Sequence, residues 1–247
     1  MTNYHFDYEI PATKALTKEE RQAQMLQRRV KGIVFADDTG SGAYYYDLAT
    51  RHPFGARVKR LIDLLASTVL ITLLTPLLLV IMALIKLTSP GPVIFRQRRI
   101  GFRCNQFEMY KFRTMCVDAE KKDTSNGTAF VKPKNDPRVT SIGRFLRKYS
   151  LDELPQLFNV LEGTMSLVGP RPLREVDLEK LHHRNSVRRF ATPPGITGLW
   201  QVSGRSNSVG AKGLVLDRDY VDRWSLSLDF EILLRTVEVV FTGRGAV

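Results

Sequence analysis

The stretch LLASTVLITLLTPLLLVIMALI, residues 64–85, decides the fold class, because its 22 residues include no charged side chain. A helix of this length is long enough to cross the hydrocarbon core of a membrane. A core helix of a soluble protein with this composition would be unusual. The sequence therefore predicts a membrane-embedded helical segment, for which we take the bounds 51–88.

The pair Thr75-Pro76 lies near the middle of this run, where a proline removes one backbone hydrogen bond and kinks a helix. Basic residues lie on both flanks: Arg51, Arg57, Lys59 and Arg60 before the run, and Lys86, Arg96, Arg98 and Arg99 after it. Basic flanks are typical of the cytoplasmic side. The pattern favours a re-entrant helix-break-helix hairpin in one leaflet, with hydroxyl groups near the break binding freed backbone groups. A spanning helix kinked at Pro76 is the alternative.

The composition indicates a folded chain with an anionic partner. Of the 247 residues, 43% are apolar, and the formal net charge is +12. Nucleic acid, anionic lipid or a phosphorylated substrate would each suit that charge. Cys104 and Cys116 have neither disulfide-scaffold density nor metal-ligand spacing, and the four histidines form no zinc pattern. A reducing, cytosolic setting is therefore expected for the globular part.

The residues after the apolar run predict a small mixed domain. Residues 93–101 and 107–115 alternate as strands of an antiparallel hairpin, and residues 118–137 are predicted to form a flexible loop. Residues 141–149 are predicted to form a basic helix, in which Arg144 and Arg147 share a face. We expect an α+β fold, predominantly helical, with residues 1–50 as a polar extension and residues 89–247 as a cytosolic catalytic domain.

Two further helical patterns are relevant to the fold. Residues 17–29 predict an exposed capped helix, and Tyr44 to Tyr46 are predicted to pack rather than to bind. The final helix is predicted to bury a single apolar stripe. Its members are Phe230, Leu233, Leu234, Val237, Val240 and Phe241.

Two adjacent carboxylates, Asp152 and Glu153, stand in the segment Ser150-Leu-Asp-Glu-Leu-Pro-Gln-Leu157. Ser150 and Glu153 have the spacing of a helix capping box, which alone would imply no chemistry. If Asp152 is the N-cap instead, Pro155 falls in the first helical turn, where proline is tolerated. Apolar residues at 154, 157, 158 and 161 predict a buried face behind the pair.

Carboxylates beside many basic residues and a membrane segment favour phosphoryl chemistry on a lipid. An aspartate can attack phosphorus when cations neutralise the phosphate charge. A glycosidase pair is disfavoured, because its carboxylates stand about 5 Å or more apart across a sugar. Nucleic-acid binding is disfavoured, because no recognised module is present. A non-catalytic adaptor that binds anionic lipid remains the alternative.

Six motifs in order resemble the bacterial sugar transferases that are monotopic polyprenyl-phosphate phosphoglycosyl transferases. They are Lys59-Arg-Leu-Ile-Asp63, Ser89-Pro-Gly-Pro-Val-Ile-Phe95, Tyr110-Lys-Phe-Arg-Thr-Met115, Ser150 to Leu157, Leu167-Val-Gly-Pro-Arg-Pro172 and Pro194-Gly-Ile-Thr-Gly198. The resemblance implies that Asp152 attacks the β-phosphate of a UDP-sugar, releases UMP and passes the phosphosugar to undecaprenyl phosphate. Residues 198–206 resemble the hexose-1-phosphate branch, with glucose or galactose as the sugar, in exopolysaccharide or O-antigen initiation.

The resemblance also implies a set of site residues. Asp152 and Glu153 would be catalytic and hold Mg²⁺, and Thr75 and Pro76 would form the membrane break. The substrate-binding residues that it implies are Lys111, Arg147, Arg171, Arg205 and Asp217. Arg113 on the second strand and Arg144, on the same helix face as Arg147, complete the predicted set. The expected partners are UDP-hexose, undecaprenyl phosphate and membrane lipid, with a homodimer left open. The expected location is the cytoplasmic face of the bacterial inner membrane.

Overall fold

The computed structural model describes residues 48–117, 119, 136–174, 184–203 and 211–242. The predicted helix at 17–29, the tyrosines 44–46 and almost all of the predicted loop 118–137 lie outside these ranges. The seven described α-helices are α1 (Leu48–Arg51), α2 (Pro53–Thr88), α3 (Ser141–Lys148), α4 (Gln156–Glu162), α5 (Leu199–Val202), α6 (Ala211–Asp222) and α7 (Leu226–Thr242). The four described strands are β1 (Ile94–Ile100), β2 (Gln106–Phe112), β3 (Ser166–Val168) and β4 (Gly195–Thr197). The prediction of a predominantly helical chain with a small β component is confirmed.

Helix α2 contains the apolar run and continues through Pro76 without interruption. The predicted break at Thr75-Pro76 is therefore wrong for this structure. A proline lacks only one N–H, so Pro76 removes a single helical hydrogen bond, the one to the Thr72 carbonyl, and the helix continues past it. The buried positions also keep a helical spacing on both sides of the proline, so one face of α2 faces the domain along its length.

The opposite face of α2 is apolar and exposed. Among the described residues, α2 is the one helix long and apolar enough to cross a membrane, and only 17% of its most apolar window is buried. Large apolar side chains such as Leu65, Leu73 and Leu79 are 58–70% exposed. Exposed apolar surface of this extent marks a contact with a membrane or with another protein.

Both halves of α2 pack against the same globular domain. Near its start, Lys59 binds Asp229 on α7, and the Asp63 carboxylate accepts the Leu167 backbone N–H at 3.0 Å. Near its end, Ile81 and Ile85 join a buried cluster with Phe112 and Leu146. The two ends of the apolar helix are thus attached to one body.

Strands β1 and β2 form the predicted antiparallel hairpin, with Ile94 opposite Phe112 and Ile100 opposite Gln106. The hairpin is held to α4 by Asn159, which is fully buried. Its side chain accepts from the Tyr110 N–H at 2.9 Å and donates to the Glu108 carbonyl at 2.7 Å. This link places the Lys111 end of β2 beside the segment that carries the carboxylate pair.

Strands β3 and β4 form a short parallel pair that requires glycine. A Cβ atom added to Gly195 would lie 2.1 Å from the Gly169 nitrogen, and one added to Gly169 would lie 2.4 Å from the Pro193 carbonyl oxygen. No side chain fits at such separations, so both glycines permit the close backbone approach. The loop Gly169-Pro-Arg-Pro172 begins directly after β3, at this close approach of the two strands.

Helix α7 buries a different face from the one that the sequence predicts. Phe230, Leu234 and Val237 are 55–64% exposed, whereas Ile232 is buried. The predicted apolar stripe is therefore wrong for these three residues. Asp229 is drawn inward by hydrogen bonds from neighbouring side chains, and this polar contact fixes which face of the helix is buried.

Candidate active site

The carboxylate pair lies on a separate 3-10 turn, Leu151–Glu153, ahead of α4. Neither predicted cap is correct. Ser150 adopts a left-handed conformation (φ 55°) without a capping hydrogen bond, and the residue before α4 is Pro155. Because Pro155 has no N–H to donate to Leu151, regular α-helical bonding begins only after it. Asp152 is 8% exposed, so the turn holds its carboxylate largely out of solvent.

Lys111 from β2 reaches the turn. Its Nζ lies 2.7 Å from Glu153 Oε1, and the two side chains are 16% and 21% exposed. A charge-assisted contact of this length is strong when it is partly shielded from water. The predicted phosphate ligand and the predicted carboxylate are therefore adjacent, and an incoming phosphate could compete with Glu153 for the ammonium group.

Arg147 from α3 lies close enough to Asp152 for their charges to interact. Burial lowers the pKa of Arg147, and the charges of Asp152 and Asp136 oppose this shift. The guanidinium remains charged, because arginine is not deprotonated in proteins. Its Nε donates to Thr114 Oγ1 at 2.9 Å, which fixes its direction. Arg144 does not share this position, since it donates to the Val139 carbonyl and to Ser141 Oγ at the start of its own helix.

Arg171 lies on the loop after β3 and lines a small open cleft together with Lys111 and Glu153. Its guanidinium lies 5.4 Å from the centroid of the Trp200 ring, a cation–π distance. The cleft wall also includes Gly195 at the close approach of β3 and β4. The structure thus brings three cations, Arg99, Lys111 and Arg171, and one carboxylate to one concave surface.

The other predicted substrate-binding residues lie in different places. Arg113 is buried and donates through Nη2 to the Ser89 carbonyl and hydroxyl at 2.8 and 2.9 Å, so it supports the turn after α2. Asp217 is also buried, and its Oδ2 lies 2.6 Å from Arg189 Nη2. It supports the cleft from behind and is absent from its lining. Arg205 lies outside the described residues.

Sequence reasoning assigned no role in the site to four residues that the structure places at or behind the cleft. They are Arg99, Gln156, Arg189 and Trp200. Arg99 was interpreted only as part of the basic membrane flank, although it lies on β1 beside the cleft. Side chains alternate between the two faces of the β1–β2 hairpin, and Arg99 lies on the same face as Lys111. This alternation could have identified Arg99 from the sequence.

The carboxylate pair is chemically suited to magnesium. In the part of the chain that the structure describes, no group of three or more His, Cys, Asp or Glu could hold a metal ion. Mg²⁺ is commonly bound by one or two carboxylates, with water and substrate phosphates completing its shell. Asp152 and Glu153 on one turn therefore fit a metal that binds together with a phosphorylated substrate.

Comparison with known proteins gives one consistent family. The model of the family described as bacterial sugar transferase matches residues 54–243. The exopolysaccharide production protein ExoY of Rhizobium meliloti is 43% identical over 204 residues, which cover 78% of this chain and 90% of that protein.

Two longer relatives have names that state a reaction. The undecaprenyl-phosphate glucose phosphotransferase of Komagataeibacter xylinus is 42% identical, over 76% of this chain and 36% of its own length. The undecaprenyl-phosphate galactose phosphotransferase of Salmonella typhimurium is 40% identical, over 76% of this chain and 41% of its own length. The matched region covers the carboxylate turn, the cleft and α2, and the chain belongs to the bacterial sugar transferase family.

Proposed function

We propose that this enzyme transfers a hexose 1-phosphate, from UDP-glucose or UDP-galactose, to undecaprenyl phosphate and so initiates exopolysaccharide or O-antigen synthesis. The observation that carries the proposal is the shielded Asp152, whose charge interacts with that of Arg147, next to a cleft lined by Lys111 and Arg171. The names of the relatives state the same class of acceptor and sugar.

The arrangement of charges suits an aspartyl phosphosugar intermediate. An oxygen of Asp152 would attack the β-phosphorus of the UDP-sugar, and the bond from that phosphorus to the bridging oxygen would break, releasing UMP. An oxygen of undecaprenyl phosphate would then attack the same phosphorus and free Asp152. Arg147, Lys111 and Arg171 would neutralise the phosphate charge that otherwise repels a carboxylate.

A second part of the proposal concerns Mg²⁺, which the family resemblance implies. Asp152 and Glu153 would hold the ion, and when bound it would neutralise charge on the diphosphate. Glu153 would then exchange its contact with Lys111 for the metal, leaving the ammonium group available to a phosphate oxygen.

The direct test of the proposed function is release of UMP by the purified protein in detergent. The reaction contains undecaprenyl phosphate, Mg²⁺ and a panel of UDP-glucose, UDP-galactose and their N-acetyl counterparts. We expect UMP and a lipid-linked sugar diphosphate in equal amounts with one of the hexoses. Absence of UMP with every sugar, from folded protein, would contradict the proposal.

We further propose that both ends of α2 lie at the cytoplasmic face of the inner membrane, with its apolar face in lipid. The support is that Lys59 and Asp63 near one end, and Ile85 near the other, contact the same domain. The two ends of a spanning helix would instead lie on opposite sides of about 30 Å of hydrocarbon, where one domain could not contact both. The homodimer stays a prediction without a test in the structure.

This topology predicts the labelling of two cysteines. Cys116 is exposed and native, and Ala49→Cys introduces a thiol at an exposed position before α2. We expect both thiols to react with a membrane-impermeant maleimide in inside-out vesicles, and neither in right-side-out vesicles. Labelling Ala49→Cys in a Cys116→Ser background separates the two signals. Reaction of the two thiols from opposite sides would establish a spanning helix.

A further inference from the structure

Arg171 is held through its backbone by a buried pair of charges. Arg189 Nη2 lies 2.6 Å from Asp217 Oδ2 and also donates to the Arg171 carbonyl oxygen. The Arg171 backbone N–H also lies near the Asp217 carboxylate and acts to lower its pKa. Arg189 and Asp217 have side chains that are 3% and 4% exposed. One ion pair therefore holds the Arg171 carbonyl group and lies beside the N–H of the same residue.

The Arg189–Asp217 pair holds Arg171 itself, whereas backbone hydrogen bonds hold its neighbours: the Gly195 N–H donates to the Pro170 carbonyl, and the Ile100 N–H donates to the Leu173 carbonyl. Arg171 stands between Pro170 and Pro172, and neither proline has an N–H to donate. A buried ion pair is also a poor source of stability in itself, since removing two charges from water costs about what their attraction returns. Its contacts converge on the one loop residue whose charged side chain lines the cleft.

We infer that Arg189 and Asp217 are positioning residues, a clamp that orients Arg171 toward the diphosphate of the UDP-sugar; the inference rests on the proposed function. The clamp acts only through Arg171, because it lies behind the cleft wall and contacts the backbone of that residue. Donor binding should therefore depend on it, while binding of the lipid acceptor should not.

The clamp should also make donor binding sensitive to pH. Burial raises the pKa of Asp217 to about 6, against the opposing charges of Arg189 and Arg171. Above this pH the carboxylate is charged and pairs with Arg189. As the pH falls through about 6, protonation removes that charge and loosens the clamp. Donor affinity should thus decrease on the acid side, and Asp217→Asn, which is neutral throughout, should abolish this dependence.

The experiment measures the Kd of UDP-glucose and UDP-galactose by calorimetry between pH 5 and 8, together with KM values for donor and acceptor. A UDP-sugar lacks the terminal phosphate monoester that itself titrates near pH 6, so the donor does not obscure the result. We expect Asp217→Asn to weaken donor binding by about tenfold to a hundredfold at pH 7.5, the range for one lost charged hydrogen bond. Acceptor KM should stay unchanged, and Asp217→Glu should keep the acid dependence.

A second ion pair provides a matched control, because it joins the neighbour of Arg189 to the same helix, α6. Arg188 and Asp222 also pair, at 3.1 Å, but are 30% and 32% exposed. Arg188→Gln and Asp222→Asn should therefore leave donor binding within about twofold of wild type. Thermal unfolding confirms that every variant is folded, and Arg189→Lys should retain more donor affinity than Arg189→Met.

A double-variant cycle tests whether the clamp acts through Arg171. If it does, Asp217→Asn should add little to the loss caused by Arg171→Ala. Additive losses, an unchanged acid dependence in Asp217→Asn, or equal effects on donor and acceptor would each overturn the inference. Wild-type protein that binds a UDP-hexose but releases no UMP would contradict the proposed function alone, since the clamp is measured by binding.

Discussion

Asp152→Asn is expected to reduce UMP release by at least about a thousandfold, because the amide cannot form the covalent bond to phosphorus that the proposed mechanism requires. The side chain keeps its size, and its buried site on the turn should be preserved. The measurement is a single-turnover assay with UDP-hexose and Mg²⁺ but no acceptor. Wild-type protein should release up to one UMP per active site, and the Asp152 variant none.

The control for this prediction is Glu162→Gln, the same type of change at the exposed end of α4. Its one described contact is a hydrogen bond from the Tyr110 hydroxyl at 3.1 Å. We expect its UMP release to remain within about twofold of wild type, as for most exposed substitutions. An Asp152→Asn protein that retained the full burst of UMP would rule out Asp152 as the nucleophile.

Breaking the buried pair between α2 and α7 is expected to have the largest effect on stability. Lys59 Nζ lies 2.7 Å from Asp229 Oδ2, and the side chains are 7% and 10% exposed. Lys59 also donates to the Val168 carbonyl, and the Tyr220 hydroxyl donates to Asp229. Lys59→Met leaves a buried carboxylate without its cation, which should lower the free energy of unfolding by about 3–5 kcal/mol.

Denaturant unfolding in detergent micelles measures this loss, and α7 itself offers the control. Arg235 and Glu231 form an exposed pair on the same helix, with both side chains 52% exposed. Glu231→Gln should change the unfolding free energy by less than about 1 kcal/mol. Equal effects of Lys59→Met and Glu231→Gln would show that the buried pair does not anchor the membrane helix.

The motif Lys59-Arg-Leu-Ile-Asp63 illustrates what a motif alone leaves open. Its position before the apolar run indicated a basic flank, whereas the structure gives each charged residue a separate contact. Lys59 binds α7, Arg60 donates to the Val160 and Leu161 carbonyls at the end of α4, and Asp63 holds the start of β3. These contacts join residues that are 100 to 170 positions apart, so no local pattern could reveal them.

The turn that carries Asp152 and Glu153 also differs from what its local motif predicts. The spacing of Ser150 and Glu153 matched a capping box, but the left-handed Ser150 and the missing N–H of Pro155 produced a separate 3-10 turn. In α7, the hydrophobic pattern was correct as a helix and wrong in its rotation, because Asp229 and Ile232 lie on the buried face while Phe230, Leu234 and Val237 are exposed.

The sequence by itself determined the elements whose signals are local. These are the apolar helix, the β1–β2 hairpin and the adjacent carboxylates, and periodicity and turn residues suffice to find them. Only the tertiary structure decided which cations reach the carboxylates. Lys111 and Arg147 converge there, Arg144 and Arg113 take other partners, and Arg189 holds Arg171 from behind. The physical reason is that side-chain partners depend on packing between distant segments, which also fixes the one continuous path of α2 through Pro76.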